Sequence, residues 1–403
     1  MSSKRIWIIS EIYYPVKTST GYYITEISEY LATKTMDVHV ICTGATYNNG
    51  EKQSHLQEEL HNGVKIHRVY TPNVDKNNFG KRFFRLVLSS LLLFSKTLKL
   101  VRKGDQILVV TNPAFLILIM PFIACIRRTP YTILVHDIFP ENLAAIKKIS
   151  SSSFIYKSIK RIFDVAYSKA QRCISIGRDM SDVLARKIQD VSKIHFIPIW
   201  AENKDVFPID KKKTKIGLNL KLQDKFVFQF AGNLGCAQGI DNLLAAIKFI
   251  ENDKIHFLFI GDGAKYSEIA SYMKTGIYKN VSLLGFQDRA NQNDFLNACD
   301  IGIVTLSDGM YGLGVPSKSY NIMATGKPIL FIGDKKSEIA LCIKEYSLGW
   351  IVESGNPKML VQMIEHIYAN RENLSTMQHN AKIMADTIFA KERILEKYYR
   401  LLK

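Results

Sequence analysis

No Asp-x-Asp pair occurs anywhere in the 403 residues, so the usual carboxylate ligands for a metal held against a diphosphate are missing. Cysteine is scarce and scattered. Cys42, Cys125, Cys173, Cys236, Cys299 and Cys342 show neither metal-binding spacing nor a paired framework, which excludes a zinc module and fits buried thiols in a reducing compartment. The uncharged run at 114–126 (AFLILIMPFIACI) is shorter than the roughly 20 residues a bilayer requires, and Pro121 interrupts it. It is expected to be a core helix following Asn112-Pro113. Met1-Ser2-Ser3-Lys4-Arg5 leads straight into the apolar run Ile6 to Ser10, so no secretory leader is expected. Internal repeats and low-complexity tracts are missing as well.

Positive charge is what the chain has in excess, 54 Lys and Arg against 37 Asp and Glu, a net +17. Nucleic acid does not account for it, because zinc spacing, an aromatic RNA-binding signature and a basic tail are all lacking. Residues 81–103 hold seven cations (Lys81, Arg82, Arg85, Lys96, Lys99, Arg102, Lys103) and no acid, around Leu86-Val87-Leu88 and Leu91 to Phe94. A second basic amphipathic stretch, 147–172, sets Phe154, Ile155, Ile159, Ile162 and Phe163 among Lys157, Lys160 and Arg161. Such helices either lie on an anionic bilayer surface or turn an apolar stripe into the core beneath a solvated basic face.

The strongest motif is Gly312 to Leu330, GLGVPSKSYNIMATGKPIL. Gly312 and Gly314 permit a tight loop, Pro316 fixes the entry to a helix, and Ser317 and Lys318 fall in its first turn. Free backbone N–H groups there favour an anion, to which Lys318 adds a full charge. Gly326-Lys327-Pro328 closes the helix before a buried strand. Upstream, Phe226 to Ala231 leads into Gly232-Asn233-Leu234-Gly235, and Gln238-Gly239-Ile240-Asp241 opens another helix. Apolar runs at 255–260, closing on Gly261-Asp262-Gly263, at 281–285 and at 301–306 alternate with helical patterns. An ordinary capped helix explains any one of these segments; their alternation predicts an α/β chain with parallel, doubly wound sheets whose loops gather at one strand end. At 403 residues two domains are expected. The first spans 1–205, with strands near 5–10, 37–43, 64–69, 106–111, 131–136 and 172–176, a first helix from about Gly21, and polar loops at 44–62 and 71–80. A linker is placed near 201–215, the second domain at 206–380, and a final helix at 381–403.

With these residues in view the chain resembles a glycosyltransferase of family 4, and within it the bacterial branch of fucosaminyl-type O-antigen and capsule enzymes. Tyr14-Pro15 with Gly21, His136 to Glu141 (HDIFPE), Ile197-Pro198-Ile199-Trp200, Ala231 to Gly235 and Val315-Pro316-Ser317-Lys318 carry the likeness. The resemblance implies the GT-B fold, two Rossmann-like domains facing across a cleft, with the last helix crossing back to the first domain. It implies retaining transfer, with no metal and no cofactor, from a nucleoside-diphosphate sugar, UDP first among donors, to a polyprenyl-diphosphate-linked saccharide. The setting would be bacterial cytoplasm, peripheral on the inner face of the membrane, and the two basic stretches in one half then favour the anionic membrane surface.

Site roles follow from the same likeness. Lys318 would neutralise the leaving diphosphate. Gly232, Asn233, Gly235, Pro316 and Ser317 would line the donor, with Gly261 shaping the pocket and Gly285-Phe286 near the base. Arg289 is either a second cation for the donor or a loop arginine in water. His136 or Asp137, at the end of an apolar strand, would receive or orient the acceptor proton, unless the pair merely caps the turn before Pro140. Gly21 and Glu141 are weaker acceptor-side or phosphate-loop candidates. The family's two spaced glutamates read Leu313 and Asn321 here, so Asn321 would contact sugar as a neutral partner. Two alternatives stay open: a nucleotide-sugar 2-epimerase, which shares the two-domain fold, and a catalytically silent membrane-associated subunit, which the changed glutamates permit.

Overall fold

The computed structural model describes residues 5–16, 18–44, 57–71, 79–274, 276 and 280–403, with the side chains of 79–83 and Cys236 left aside. Lys81 and Arg82, and most of the loops expected at 44–62 and 71–80, therefore lie outside the described side chains. The chain divides into two compact units, Met1–Ile197 with Leu395–Lys403, and Pro198–Ile394.

The first unit carries β1 (Arg5–Ile9), β2 (Asp37–Thr43), β3 (Glu58–His61), β4 (Val64–Val69), β5 (Gln106–Val110), β6 (Tyr131–Val135), β7 (Arg172–Ser175) and β8 (Ile194–Phe196). They form one sheet in the order β3-β4-β2-β1-β5-β6-β7-β8. Every pairing is parallel except β3 with β4. The central strands are unbroken apolar runs, β6 being buried at all five positions, as strands covered on both faces must be. Strand β3 departs from the polar loop expected through residue 62. It returns to β4 through Asn62-Gly63, both at positive φ, the geometry an Asn-Gly hairpin turn requires.

The helices of this unit are α1 (Ser19–Thr33), α2 (Phe79–Leu100), α3 (Ala114–Arg127), α4 (Glu141–Ala145), α5 (Phe154–Lys169) and α6 (Arg178–Ala185). Thr18 caps α1, its hydroxyl accepting from the Gly21 N–H at 3.2 Å, and Ile24, Ile27 and Leu31 turn inward. Helices α1 and α2 both pack on β2 and β4.

The second unit holds α7 (Lys215–Asn219), β9 (Phe226–Ala231), α8 (Ile240–Ile247), β10 (Ile255–Ile260), α9 (Tyr266–Lys274), β11 (Val281–Leu284), α10 (Gln292–Asn297), β12 (Ile301–Thr305), α11 (Lys318–Ala324), β13 (Ile329–Ile332), α12 (Glu338–Tyr346), β14 (Gly349–Val352), α13 (Pro357–Ala369) and α14 (Ser375–Asp386), and the start of α15 (Lys391–Leu402). Its six strands are all parallel, in the order β11-β10-β9-β12-β13-β14. Phe228, Phe230, Phe257 and Phe259 fill the core between β9, β10 and the helices. The second half of α15 belongs with the first unit, where Glu396 accepts from the Tyr30 hydroxyl at 2.9 Å.

The expected linker is displaced. The chain leaves the first unit at Ile197, and 201–215 is built into the second. Asn293 and Asn297 accept from the N–H groups of Phe207 and Ile209 at 3.0 and 2.9 Å, and Lys211 is buried against Asp300. A segment whose backbone donors are satisfied by side chains of another element is part of that element's fold.

His256 on β10 sets a pH limit on this unit. Its Nε2 lies 2.9 Å from the Ser282 hydroxyl, and burial, with Lys225 adding to it, pushes its pKa down to about 4. The unfolded chain binds that proton near pH 6.5, so the stabilisation is complete above about 6.5 and is lost as pH falls toward 4. Urea midpoints measured from pH 7 to 4 are expected to fall, and His256→Gln to flatten that fall by roughly 2 kcal/mol.

Candidate functional site

In the second unit the sequence motifs converge at the carboxyl ends of β9 and β10. The loops following these strands are laced together. The Gly232 N–H donates to the Ile260 carbonyl at 2.8 Å, the Leu234 N–H to Asp262 at 2.9 Å, and the Lys265 N–H to Leu234 at 2.9 Å. Glycine is required where the loops touch: a Cβ on Gly261, at φ +141°, would stand 1.9 Å from the Gly232 carbonyl oxygen, where no side chain fits.

Lys318 opens α11 and reaches into this cluster. Its Nζ lies 3.3 Å from the centroid of the Phe230 ring and is sealed from solvent without a hydrogen-bond partner, although part of the residue is exposed. A Cβ at position 232 would stand 3.6 Å from that nitrogen, an ordinary contact, so it is the backbone, at φ +140°, that calls for glycine here. Burial holds the amine well below its ordinary pKa, because an unpaired ammonium is costly away from water. Gly232 and Asn233 are themselves exposed. The cluster is thus a solvent-facing glycine loop with an amine behind it that lacks an anion.

Gly235 packs on its neighbour, a Cβ there meeting the Asn233 side chain at 3.0 Å. Pro316 is buried, and Ser317 stands at the N-cap of α11 without a side-chain capping bond. Gly285 has open space beside it, and Phe286 is 60% exposed, so both face solvent after β11. A separate hollow of about 210 Å³ lies at the ends of β12, β13 and β14, bordered by Ser307, Asp308, Asp334 and Glu353. It contains none of the residues expected from sequence, and its carboxylates are occupied. Asp308 and Asp334 accept from the Gly309 and Lys336 N–H groups at 3.0 and 2.7 Å, and Glu353 pairs with Lys335 at 3.3 Å.

In the first unit His136 and Asp137 follow β6, and both their N–H groups donate to the Thr111 hydroxyl, at 3.1 and 3.2 Å. That bond fixes the turn beside the end of β5. Burial pushes His136 down to about 4 and Asp137 up to about 6. Asp137 still presents surface to solvent, and water reaching it works against that rise. The imidazole is therefore a neutral, weak base, while the carboxyl lies closer to neutrality.

The profile for glycosyl transferases group 1 matches residues 211–384, and that for glycosyltransferase family 4 matches residues 20–200. A probable glycosyltransferase, WbjE of Pseudomonas aeruginosa, is 34% identical over 363 residues, 90% of this chain and 89% of that protein. This chain is a family 4 glycosyltransferase. The transferase has the GT-B fold: it superimposes with a TM-score of 0.73 on Anabaena HepE in complex with UDP and glucose, at 15% identity and covering 99% of each chain. It also matches WaaG, a glycosyltransferase involved in lipopolysaccharide biosynthesis, at 0.71 and 11% identity, again over 99% of each chain.

Four expected site residues of the transferase are engaged elsewhere. Asn321, expected to contact sugar, is 3% exposed and its Oδ1 accepts from the Glu202 N–H at 2.9 Å. Arg289, weighed as a donor cation or a solvated loop residue, pairs through Nη2 with Glu202 Oε1 at 3.3 Å. Glu141 is drawn into an ion cluster, 2.6 Å from Lys187 and 3.2 Å from Lys160, which Asp164 closes. The Gly21 N–H is spent on Thr18, and a Cβ there would meet the Val16 carbonyl at 2.8 Å; close packing accounts for this glycine.

Sequence reasoning missed two carboxylates. Glu202 accepts from Trp200 Nε1 at 2.7 Å, Arg289 and Lys391; its only signal was its place just after Ile197 to Trp200. Glu11, buried at the end of β1, meets Arg85 of α2 at 3.1 Å. Burial raises its pKa and Arg85 opposes that. Arg85, read as part of a basic surface, thus has a structural partner.

Proposed function

We propose that the transferase moves a hexosyl or N-acetylhexosaminyl group from a UDP-sugar to a polyprenyl-diphosphate-linked saccharide in bacterial surface-polysaccharide synthesis. Transfer proceeds with retention at the anomeric carbon, without metal or cofactor, in the cytoplasm at the inner face of the membrane. The observation that carries this is the sealed, unpartnered Lys318 amine beside Gly232. A diphosphate seated on the glycine loop supplies the anion that amine lacks, and the amine takes its proton as the diphosphate arrives. As the bond from the anomeric carbon to the diphosphate breaks, negative charge grows on the leaving oxygen, where a preorganised cation acts most strongly. The acceptor oxygen forms the new bond to that carbon and gives up its proton. The family resemblance gives receipt or orientation of that proton to His136 or Asp137.

The binding of UDP and glucose by HepE and the part of WaaG in lipopolysaccharide biosynthesis support this donor and this setting. The absence of an Asp-x-Asp pair supports metal independence. The test is thermal shift of the purified protein against UDP-, GDP-, dTDP- and ADP-sugars without added metal. A ligand that binds only the folded state raises the melting temperature with occupancy. A UDP-sugar is expected to do so, and Lys318→Ala to remove the shift; silence toward every nucleotide sugar overturns the reading.

A further inference from the structure

Helices α2, α3 and α5 lie side by side in the first unit, α3 packing against both of the others. Their inner faces are core: Leu93 of α2, Leu116, Ile117, Met120 and Ile123 of α3, and Tyr156 and Phe163 of α5 are buried. Their outer faces are apolar as well. Phe84 and Leu91 of α2 are 63% and 53% exposed, Phe122 and Ile126 of α3 63% and 60%, and Phe154 and Ile155 at the start of α5 83% and 64%. Spacings of seven residues in α2 and four in α3 put each pair on one stripe. Single exposed apolar residues are ordinary, but a plate of them across three adjacent helices marks a contact surface.

Charge identifies what the plate meets. Lys99, Arg128, Lys157, Arg161 and Lys169 are exposed on or beside these helices. The only acid within all three is Asp164, which is tied to Lys160 and Lys187. A basic, aromatic-bearing apolar face complements an anionic bilayer. Among the described residues no helix is long and apolar enough to cross a membrane, so the plate would lie in the interface. We infer that α2, α3 and α5 together form the docking face for an anionic phospholipid bilayer, with α3, expected from sequence to be a core helix, supplying its middle. This deepens the proposed function and rests on it only through the lipid-linked acceptor.

The test is cosedimentation of the full chain with vesicles of phosphatidylcholine, with and without phosphatidylglycerol. Binding is expected to the anionic vesicles, weakening as salt rises. Phe122→Ser with Phe154→Ser should lower the partition coefficient at least tenfold at any salt. Lys157→Glu with Arg161→Glu should remove the preference for anionic lipid. Both double variants should keep the wild-type melting temperature and its shift with UDP-sugar. Wild-type protein left in the supernatant overturns the inference, and an intact nucleotide shift in the same sample leaves the transferase reading standing. Variants that sediment like wild type overturn it too. So does a concentration-dependent dimer dissolved by the Phe122/Phe154 changes without vesicle binding, which would assign the plate to a second copy of the chain.

Discussion

Lys318→Met is expected to lower kcat by about 10²–10³ while raising the melting temperature. Both effects come from the same atom. In the free protein the amine lies against Phe230 and Gly232 with no hydrogen-bond partner, and burial depresses its pKa. A buried polar group left unsatisfied costs about 1–3 kcal/mol. Methionine has similar length and no such cost, so the folded state gains by the change, the pattern expected where a site is kept at the expense of stability. Catalysis loses a cation positioned for the leaving diphosphate. The pH dependence separates this from repacking. The unfolded chain protonates Lys318 below about pH 10.4, whereas the folded chain resists it, so the penalty shrinks as pH rises through that window. The melting temperature of wild type should therefore approach that of the variant between pH 7 and 10. A destabilised variant that transfers sugar at the wild-type rate would remove Lys318 from the site.

Much of the fold was legible because parallel strands covered on both faces must be continuous apolar runs, as β6 and β9 are. The glycine loops were legible for a similar reason, since Gly261 and Gly232 approach too closely for any side chain. Lys318 could be placed at a helix start, but its sealed amine depends on Phe230, a residue that reads only as strand. Long-range pairing hid the rest. Nothing local to Asn321 or Arg289 indicates that Glu202 will hold both, and nothing local to Glu141 announces Lys187. Helix α3 reads from sequence as core alone because a uniformly apolar run has no polar side to show which face is outward; Leu116 and Ile123 are buried while Phe122 and Ile126 are exposed.

Glu202→Ala is expected to be strongly destabilising, costing about 3–5 kcal/mol. The carboxylate is 3% exposed and accepts from Trp200 Nε1 at 2.7 Å, Arg289 at 3.3 Å and Lys391 at 3.2 Å. Its own N–H is held by Asn321 at 2.9 Å. Beside it the Ala201 N–H donates to the Phe389 carbonyl at 2.8 Å, and Ala201 bridges to Ala390. One residue thus ties the segment entering the unit at Pro198 to the segment leaving it, to α11 and to the loop after β11. Truncation takes one acceptor from the Trp200 indole N–H, from Arg289 and from Lys391, and removing one partner of a buried ion pair costs more than the pair contributes. At this size the loss corresponds to roughly 10 °C in melting temperature. Glu202→Gln keeps an acceptor for Trp200 but drops the charge, so it should fall between wild type and alanine. The sugar-contact reading of Asn321 predicts otherwise: if Asn321 served the donor alone, Asn321→Ala would reduce transfer and leave the melting temperature unchanged. With Glu202 as its partner, Asn321→Ala should lower the melting temperature, and in combination with Glu202→Ala its effect should fall well short of additive. Full additivity in that double-mutant cycle would show that the two residues do not act as one structure.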